Sequence, residues 1–543
     1  MLIDHLKEIQ LKHGYLPDNE IQALSEREHI PLYEIHGIAS FYPHFRLSPP
    51  PKVSIRVCRD ISCHMKDSLE IYETLSDMIE GVGFDGWEID TVSCLGQCDG
   101  APAVAINGQS YSGVTLDGMA GYLEKLIEGR SLKKQKIKAS KAETSIDPYT
   151  GSEQYGALKA YLADPNPTVT ITALKSSGLR GMGGAGFPTG VKWDFVRQAE
   201  GQTKYVVCNA DESEPGTFKD RELLRRVPHL MIEGMIISGL LVGSERGYVF
   251  LRHEYDRERE ILERTIAQFY KDGILGDDVR GSGMSFQLEI FDSPGGYICG
   301  EETALLEALE GKRAEPRNKP PFPGTEGLHG KPTLINNVET FSWIPAILER
   351  GPEWFCNSGK NGANGLKYVA LSGHVRKPGV YEIPLGTTAK ELIDGYGGGI
   401  IGGRALKAFA PGGASSGFLP ASMSDIPLDF DPLAKAGSML GSGAVIAVAE
   451  GTDMVALARN VIAFFRNESC GKCVPCRTGT HQFVRMVDKV LEGGGDESLL
   501  APASDLAETM AQTSICGLGQ AAPLSVMSVL KYFPQDVADH MGE

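Results

Sequence analysis

The stretch GLRGMGGAGFPTGVKW (residues 178–193) carries six glycines in its first thirteen positions, and how they are read decides the fold of the middle of the chain. Without Cβ atoms, backbone N–H groups approach a phosphate or a flat ring closely. A tight turn is the plain alternative, and the spacing departs from the Rossmann fingerprint. The neighbouring stretches add weight. CNADESEPGTFKD (208–220) follows a strand-like run and presents Asn209, Asp211, Glu212 and Glu214 at its end, where a solvated turn is the alternative. GGYICGEETALLEALEGKR (295–313) sets glycines and two carboxylates, Glu301 and Glu302, before a helical run, although acidic residues also suit a helix N-terminus for their own sake. NKPPFPGTEGLHGKPTLINNVET (318–340) adds Lys319 and Phe322 in a proline-flanked loop, then Asn336 and Asn337. An aromatic beside a lysine suits a dinucleotide, with stacking for the rings and charge for the pyrophosphate.

Outward from there the pattern is that of a parallel or mixed sheet with helices on its faces. KYVVCNA (204–210), GYVFLRHEY (247–255) and SFQLEIFDS (285–293) are strand-like and alternate with helical runs across 151–350. The 543 residues predict roughly three to five domains. Residues 1–50 have helical spacing and predict a short bundle; 51–130 predict a small α/β domain from KVSIRVC, GWEIDTVSC and APAVAINGQSYSG. Residues 131–150 are polar and lysine-rich, as expected of a linker. Residues 351–435 hold two strand runs, a turn and a helix capped by Thr387 or Thr388, which predicts a β-grasp module. Residues 436–543 predict a helix bundle.

Hydrophobic residues make up 42% of the chain, charged residues 23%, and glycines number 65, which suits a globular α/β protein. Fifty-three basic against 70 acidic residues leave a net charge of -17, which argues against a nucleic-acid or anionic-membrane partner. The start, MLIDHLKEIQLKHG (1–14), lacks the features of a secretion signal, and LMIEGMIISGLLVG (230–243) is too short and too interrupted to span a membrane. A cytoplasmic location is therefore expected.

Eleven cysteines without a secretion signal point to metal ligands or core residues rather than disulfides. Cys208, Cys299 and Cys356 are scattered and are expected to be small buried hydrophobes. In ESCGKCVPCRTG (468–479), Cys470, Cys473 and Cys476 have CxxCxxC spacing, and Cys516 follows in QTSICGLGQ (512–520). Three thiolates wrapping one face of an inorganic core with a fourth closing it point to a 4Fe-4S cluster, with tetrahedral zinc as the rival. Cys58, Cys63, Cys94 and Cys98 form two two-cysteine clamps after strands in a thioredoxin-like pattern, favouring a 2Fe-2S cluster over zinc.

Taken in order, these motifs resemble those of the NADH-binding flavoprotein subunit of respiratory complex I and its soluble relatives, and the first 130 residues are similar to the small thioredoxin-like 2Fe-2S subunit that partners it, here fused ahead of it. The resemblance implies a multidomain α/β protein: a helical bundle plus thioredoxin-like 2Fe-2S domain, a Rossmann-like FMN/NADH domain, a β-grasp domain and a C-terminal helix bundle with a 4Fe-4S cluster. It further implies FMN near Gly181, Gly183, Gly184, Lys192, Asn209, Asp211, Tyr297, Gly300, Glu301, Asn336 and Asn337. NAD(H) would stack above it, with Phe187, Phe195 and Phe322 as aromatic contacts and Glu214, Glu302 and Lys319 as polar ones. Glu212 and Glu302 are the carboxylates expected to take the catalytic part, tuning the flavin. Many members have GRGGAGF where this chain has GMGGAGF (181–187), so Met182 replaces an arginine. The fusion and the segment 411–443 look more like the β subunit of cytoplasmic NAD-dependent formate dehydrogenases, whose partner is a large catalytic subunit carrying a molybdenum or tungsten pterin and iron-sulfur clusters. A NAD-reducing hydrogenase and complex I itself remain alternatives, as does an amino-terminal part that only docks, or a zinc-bearing scaffold.

Overall fold

A computed structural model describes residues 2–82, 86–135, 144–149, 154–493 and 497–541. Within the expected linker, 136–143 and 150 lie outside the described residues.

Three short helices open the chain: Leu2–His13, Asp18–Glu28 and Leu32–Ala39. Pro17 and Pro31 precede the second and third, where a missing N–H costs nothing, and acidic residues fill their first turns against the helix dipole. Their apolar face, with Ile3, Leu6, Ile21, Leu24 and Ile35, joins one core with Phe291, Ile298 and the C-terminal helices. The bundle is thus packed onto the rest of the molecule.

The second unit is a four-stranded sheet, β1 (Val53–Cys58), β2 (Trp87–Val92), β3 (Ala103–Ile106) and β4 (Gln109–Ser112), in the order β2-β1-β3-β4. β1 alternates, sending Val53, Ile55 and Val57 inward. Its pairing gathers the cysteines. β1 runs parallel to β2 with Cys58 opposite Val92, two residues before Cys94, while antiparallel β3 starts at the same end, five residues after Cys98.

The central sheet is wholly parallel: β5 (Tyr205–Ala210), β6 (Arg246–Leu251), β7 (Gln287–Asp292) and β8 (Thr333–Asn337), in the order β7-β6-β5-β8. The chain moves outward from β5 to β7 and then crosses back to β8. That reversal leaves a crevice beyond the ends of β5 and β8, where open parallel sheets bind ligands. Asn209 pairs in register with Asn337 there. Helix Pro228–Val242, apolar on every side, runs buried through the core.

The third sheet comprises β9 (Leu366–Gly373), β10 (Gly379–Pro384), β11 (Leu406–Ala410), β12 (Leu419–Pro420) and β13 (Ala444–Ala449), in the order β10-β9-β13-β11-β12. The expected helix is a single π-helical turn at Glu391–Tyr396. Thr388 and Glu391 bond each other's backbone N–H reciprocally, whereas the Thr387 hydroxyl donates to the Pro384 carbonyl. Helices then complete the chain, chiefly Met454–Glu468, Val474–Leu491, Ala503–Thr513 and Leu524–Tyr532. Two glycines permit their close approach: a Cβ on Gly479 would strike Met510 Sδ at 2.3 Å, and one on Gly519 would meet Cys476 Cβ at 2.8 Å. No described helix is long and apolar enough to cross a membrane.

Candidate functional site

The glycine loop lies over the crevice at the ends of β5 and β8. Gly181 N donates to the Phe187 carbonyl at 2.8 Å, closing the loop, and Met182 N donates to Thr340 Oγ1 at 2.9 Å. Gly183 and Gly184 N–H groups meet no acceptor among the described residues. A Cβ on Gly184 would enter open space at φ +141°, and one on Gly183 would press on Asn337 Cβ at 2.9 Å. Bare backbone donors beside an open crevice fit a phosphate-bearing flavin. Met182 itself is fully buried, so the departure from arginine falls in the interior rather than on the cleft.

Two expected carboxylates and two lysines form one charge cluster at the rim. Lys319 Nζ stands 3.1 Å from Glu301 Oε1 and 2.7 Å from Glu302 Oε1. Lys192 Nζ is 3.5 Å from Glu302 Oε2 and donates to the Ile335 carbonyl at 2.8 Å. The other oxygen of Glu301 accepts from Thr303 N and Ala304 N, capping the helix Glu302–Leu309. Burial works against ionisation of Glu302, yet Lys192 and Lys319 hold its carboxyl below the usual range. Phe187, Phe195 and Phe322 are half-exposed, available to a planar ligand. Phe195 also packs on Gly324, bringing the proline-rich loop against the helix Thr189–Gln198.

The strand-end residues are held one by one. Asn209 Nδ2 donates to the Gly300 carbonyl at 2.7 Å, Asp211 accepts from Ser293 Oγ at 2.8 Å, and Trp193 Nε1 donates to Asn336 Oδ1 at 2.9 Å. Glu214 accepts from Ser415 N at 2.8 Å, and Tyr297 OH lies 3.3 Å from Ser415 Oγ. Burial pushes Asp211 and Glu214 each up to about 7.

Glu212 stands apart from this cleft. Its two oxygens accept from Asp220 N at 2.9 Å and Arg221 N at 3.0 Å, and Tyr255 OH donates at 2.8 Å. The carboxylate therefore closes the N-terminus of the helix Lys219–Arg226 from within the core. Glu302, by contrast, sits at the rim.

Cys470, Cys473, Cys476 and Cys516 line one small pocket with Ile298, Pro316, Ser469, Lys472, Ile515 and Leu518. Cys473 and Cys516 each precede a helix, Val474–Leu491 and Gly517–Ala521. Burial pushes the Cys476 thiol up to about 11 and the Cys516 thiol up to about 12, a cost that a cationic metal core removes. Four cysteines lining one pocket are the donor set of a 4Fe-4S cluster. The flavin cleft adjoins it: Tyr297 N donates to Glu468 Oε2 at 2.8 Å, and Ile298 lines the pocket.

The four early cysteines are at most 5% exposed. Cys94 Sγ lies 3.4 Å from Cys98 Sγ. Cys58 hydrogen-bonds with Cys63 and then Cys94, which drives its thiol up, while Cys94 is drawn down by Cys58 and Cys98. Four such close thiols fit a 2Fe-2S cluster. Their loop is clamped to the flavin domain: Gly216 N donates to Cys98 Sγ at 3.4 Å, Arg252 to the carbonyls of Cys94 and Glu212, and Arg221 to the Gly96 carbonyl and to Asp99 at 2.8 Å. Cys208 and Cys299 are buried core residues as expected; Cys356 is only half-buried.

Of these neighbours, Arg221, Arg252 and Glu468 carry no ligand-like signal of their own in the sequence, although Arg252 and Glu468 lie inside GYVFLRHEY and ESCGKCVPCRTG.

This combination of crevice, glycine loop and two cysteine sites defines an NADH-binding flavin and iron-sulfur protein. Residues 174–346 match the Nuo51 FMN-binding domain, 456–540 the NADH-ubiquinone oxidoreductase-F iron-sulfur binding region, 1–127 the thioredoxin-like [2Fe-2S] ferredoxin and 368–419 the SLBB domain. The second F-subunit of the NADH-quinone oxidoreductases of Rhizobium meliloti is 44% identical over 398 residues, 73% of this chain and 94% of the relative. The F-subunit of the NADH-quinone oxidoreductase of Escherichia coli is 41% identical over 403 residues, 74% and 91% of the two chains. A crystal structure of NAD+-reducing [NiFe]-hydrogenase in the H2-reduced state superimposes with a TM-score of 0.89 at 30% identity, covering 99% of this chain and 92% of that one. The chain belongs to the family of NADH-quinone oxidoreductase F-subunits, with FMN, 2Fe-2S and 4Fe-4S domains.

Proposed function

We propose that this chain is the diaphorase subunit of a cytoplasmic NAD-dependent formate dehydrogenase, partnered by a large subunit with a molybdenum or tungsten pterin and iron-sulfur clusters. The observation that carries the diaphorase part of this reading is the single-chain arrangement of both cluster domains packed around one flavin crevice, which the NAD+-reducing hydrogenase structure matches over 99% of the length. The resemblance of residues 411–443 supports formate rather than hydrogen as the electron source. The same structural match favours a hydrogenase diaphorase as the second reading.

When bound, FMN supplies the conversion between hydride transfer at NAD(H) and single-electron transfer at iron-sulfur clusters. In this proposal Gly181, Gly183 and Gly184 admit it by backbone contact, and Lys192, Asn209, Asp211, Tyr297, Gly300, Glu301, Asn336 and Asn337 orient it. Phe187, Phe195 and Phe322 stack NAD(H), while Glu214, Glu302 and Lys319 hold its polar groups. Glu302 sits where its charge would bear on both ligands. Glu212 acts indirectly, by fixing the 209–216 backbone.

The native complex co-purified with this chain tests the assignment by elemental analysis and a formate-dependent NAD+ reduction assay. Molybdenum or tungsten with iron, and formate-driven NADH formation, are expected. Nickel with iron, and hydrogen-driven reduction, would overturn it in favour of the hydrogenase.

A further inference from the structure

Under the glycine loop lies a set of four charges from three parts of the fold, with Glu212 bordering it through the Asp220 N–H. Lys219, Glu339 and Lys367 are wholly buried and Asp220 is 2% exposed. Lys219 Nζ stands 2.7 Å from Asp220 Oδ1 and 2.9 Å from Glu339 Oε2, and donates to Asn337 Oδ1 at 3.3 Å. Asn337 Nδ2 returns a bond to Asp220 Oδ2 at 2.6 Å. Lys367 reaches in from β9 of the β-grasp sheet: its Nζ is 3.3 Å from Glu339 Oε2 and donates to the Met182 carbonyl at 3.3 Å. The second Glu339 oxygen accepts from Tyr368 N at 2.7 Å.

Two lysines and two carboxylates balance, but a buried charge set is a poor way to stabilise a core, since apolar residues of the same volume do as well or better. Burial brings Lys367 down to about 8 despite Glu339. What the set does locally is specific. Lys367 holds the Met182 carbonyl, Thr340 Oγ1 holds the Met182 N–H, and Asn337 Cβ bounds Gly183, so Met182 is held at both of its peptide groups, the second of which carries the unpartnered Gly183 N–H.

We propose that Lys367 is a positioning residue for flavin binding, holding the Met182–Gly184 backbone through the Met182 carbonyl from a different domain. This rests on the reading of that crevice as the FMN site. The SLBB-matched sheet thereby takes part in the flavin site rather than only packing beside it.

The test uses the whole chain with its clusters, comparing wild type with Lys367→Met, Lys367→Gln and the double variant Lys367→Met/Glu339→Gln. FMN release is followed by fluorescence on dilution, with thermal melting and cluster EPR recorded alongside. Lys367→Met is expected to release FMN about tenfold faster, and Lys367→Gln, which keeps a donor, to recover much of the loss. The double variant, in which Lys219 and Asp220 balance and the excess buried negative charge is gone, should regain thermal stability yet still release FMN fast, with both cluster spectra intact. FMN release at the wild-type rate in the folded double variant would overturn the proposal, as would recovery of retention in step with stability. A wild-type chain that holds no FMN would instead sink the underlying site.

Discussion

The two cysteine sites are built by different means. The early set is buried at one end of a small sheet and completed by groups from another domain, the Arg252 and Arg221 guanidiniums and the Gly216 N–H. The late set is half-open, and two of its members begin helices of their own domain. The early site therefore depends on domain docking, whereas the late one depends on local helix ends. Both sites contact the segments that border the crevice, one through residues 212–216 and the other through Tyr297 and Ile298.

The largest effect is expected at the late site. Cys473→Ser should remove or degrade the 4Fe-4S cluster and lower partner-dependent NAD+ reduction by more than about 100-fold, because a ligand is lost outright, while FMN stays bound. Iron content, flavin fluorescence and turnover check it together; full partner-dependent activity would break the comparison. Arg252→Gln strikes the docking on which the early site depends. Removing one partner from a buried charged network should cost about 3 kcal/mol in a denaturant melt and shift the 2Fe-2S EPR signal, leaving the 4Fe-4S signal unchanged.

Cys98→Ser sharpens the contrast from the ligand side. It should change or abolish the 2Fe-2S spectrum while NADH-to-dye turnover persists, since the flavin cleft holds none of its groups. At the rim, Glu302→Gln should raise the KM for NADH about tenfold with a smaller change in kcat, measured by steady-state kinetics, because Lys192 and Lys319 lose their shared carboxylate.

The smallest effect is remote from both sites. Glu233 accepts from Tyr149 OH at 2.7 Å and Leu158 N at 3.0 Å inside the buried helix, and burial pushes it up to about 7. The folded state binds its proton more tightly than the unfolded one, so its contribution is fully present below the ordinary carboxylate range and is lost as pH rises to about 7. Glu233→Gln should flatten the fall in melting temperature across that window.

Local pattern revealed most of this architecture. The alternation of β1 and the strand runs of the central sheet were readable because one residue type repeats at a fixed period, and the cysteine spacings because ligation demands them. Glu212 shows the limit. Its position at a strand end resembles that of Asp211, but the following helix turns back and takes up its carboxylate. Lys367 shows another: 185 residues separate it from the carbonyl it holds, so only the packing of β9 against the glycine loop reveals the pair. The helix expected after Thr388 is a single π-helical turn, and it stops where Gly397, Gly398 and Gly399 follow at once.

The central claim is that one crevice serves NAD(H) and communicates with both clusters. Anaerobic addition of NADH to the purified chain, followed by flavin absorbance and cluster EPR, tests it most directly. Flavin bleaching accompanied by cluster reduction, both absent after FMN removal while dithionite still reduces the clusters, is the predicted result. Cluster reduction by NADH in the flavin-free chain would contradict it, as would flavin bleaching with both clusters left oxidised.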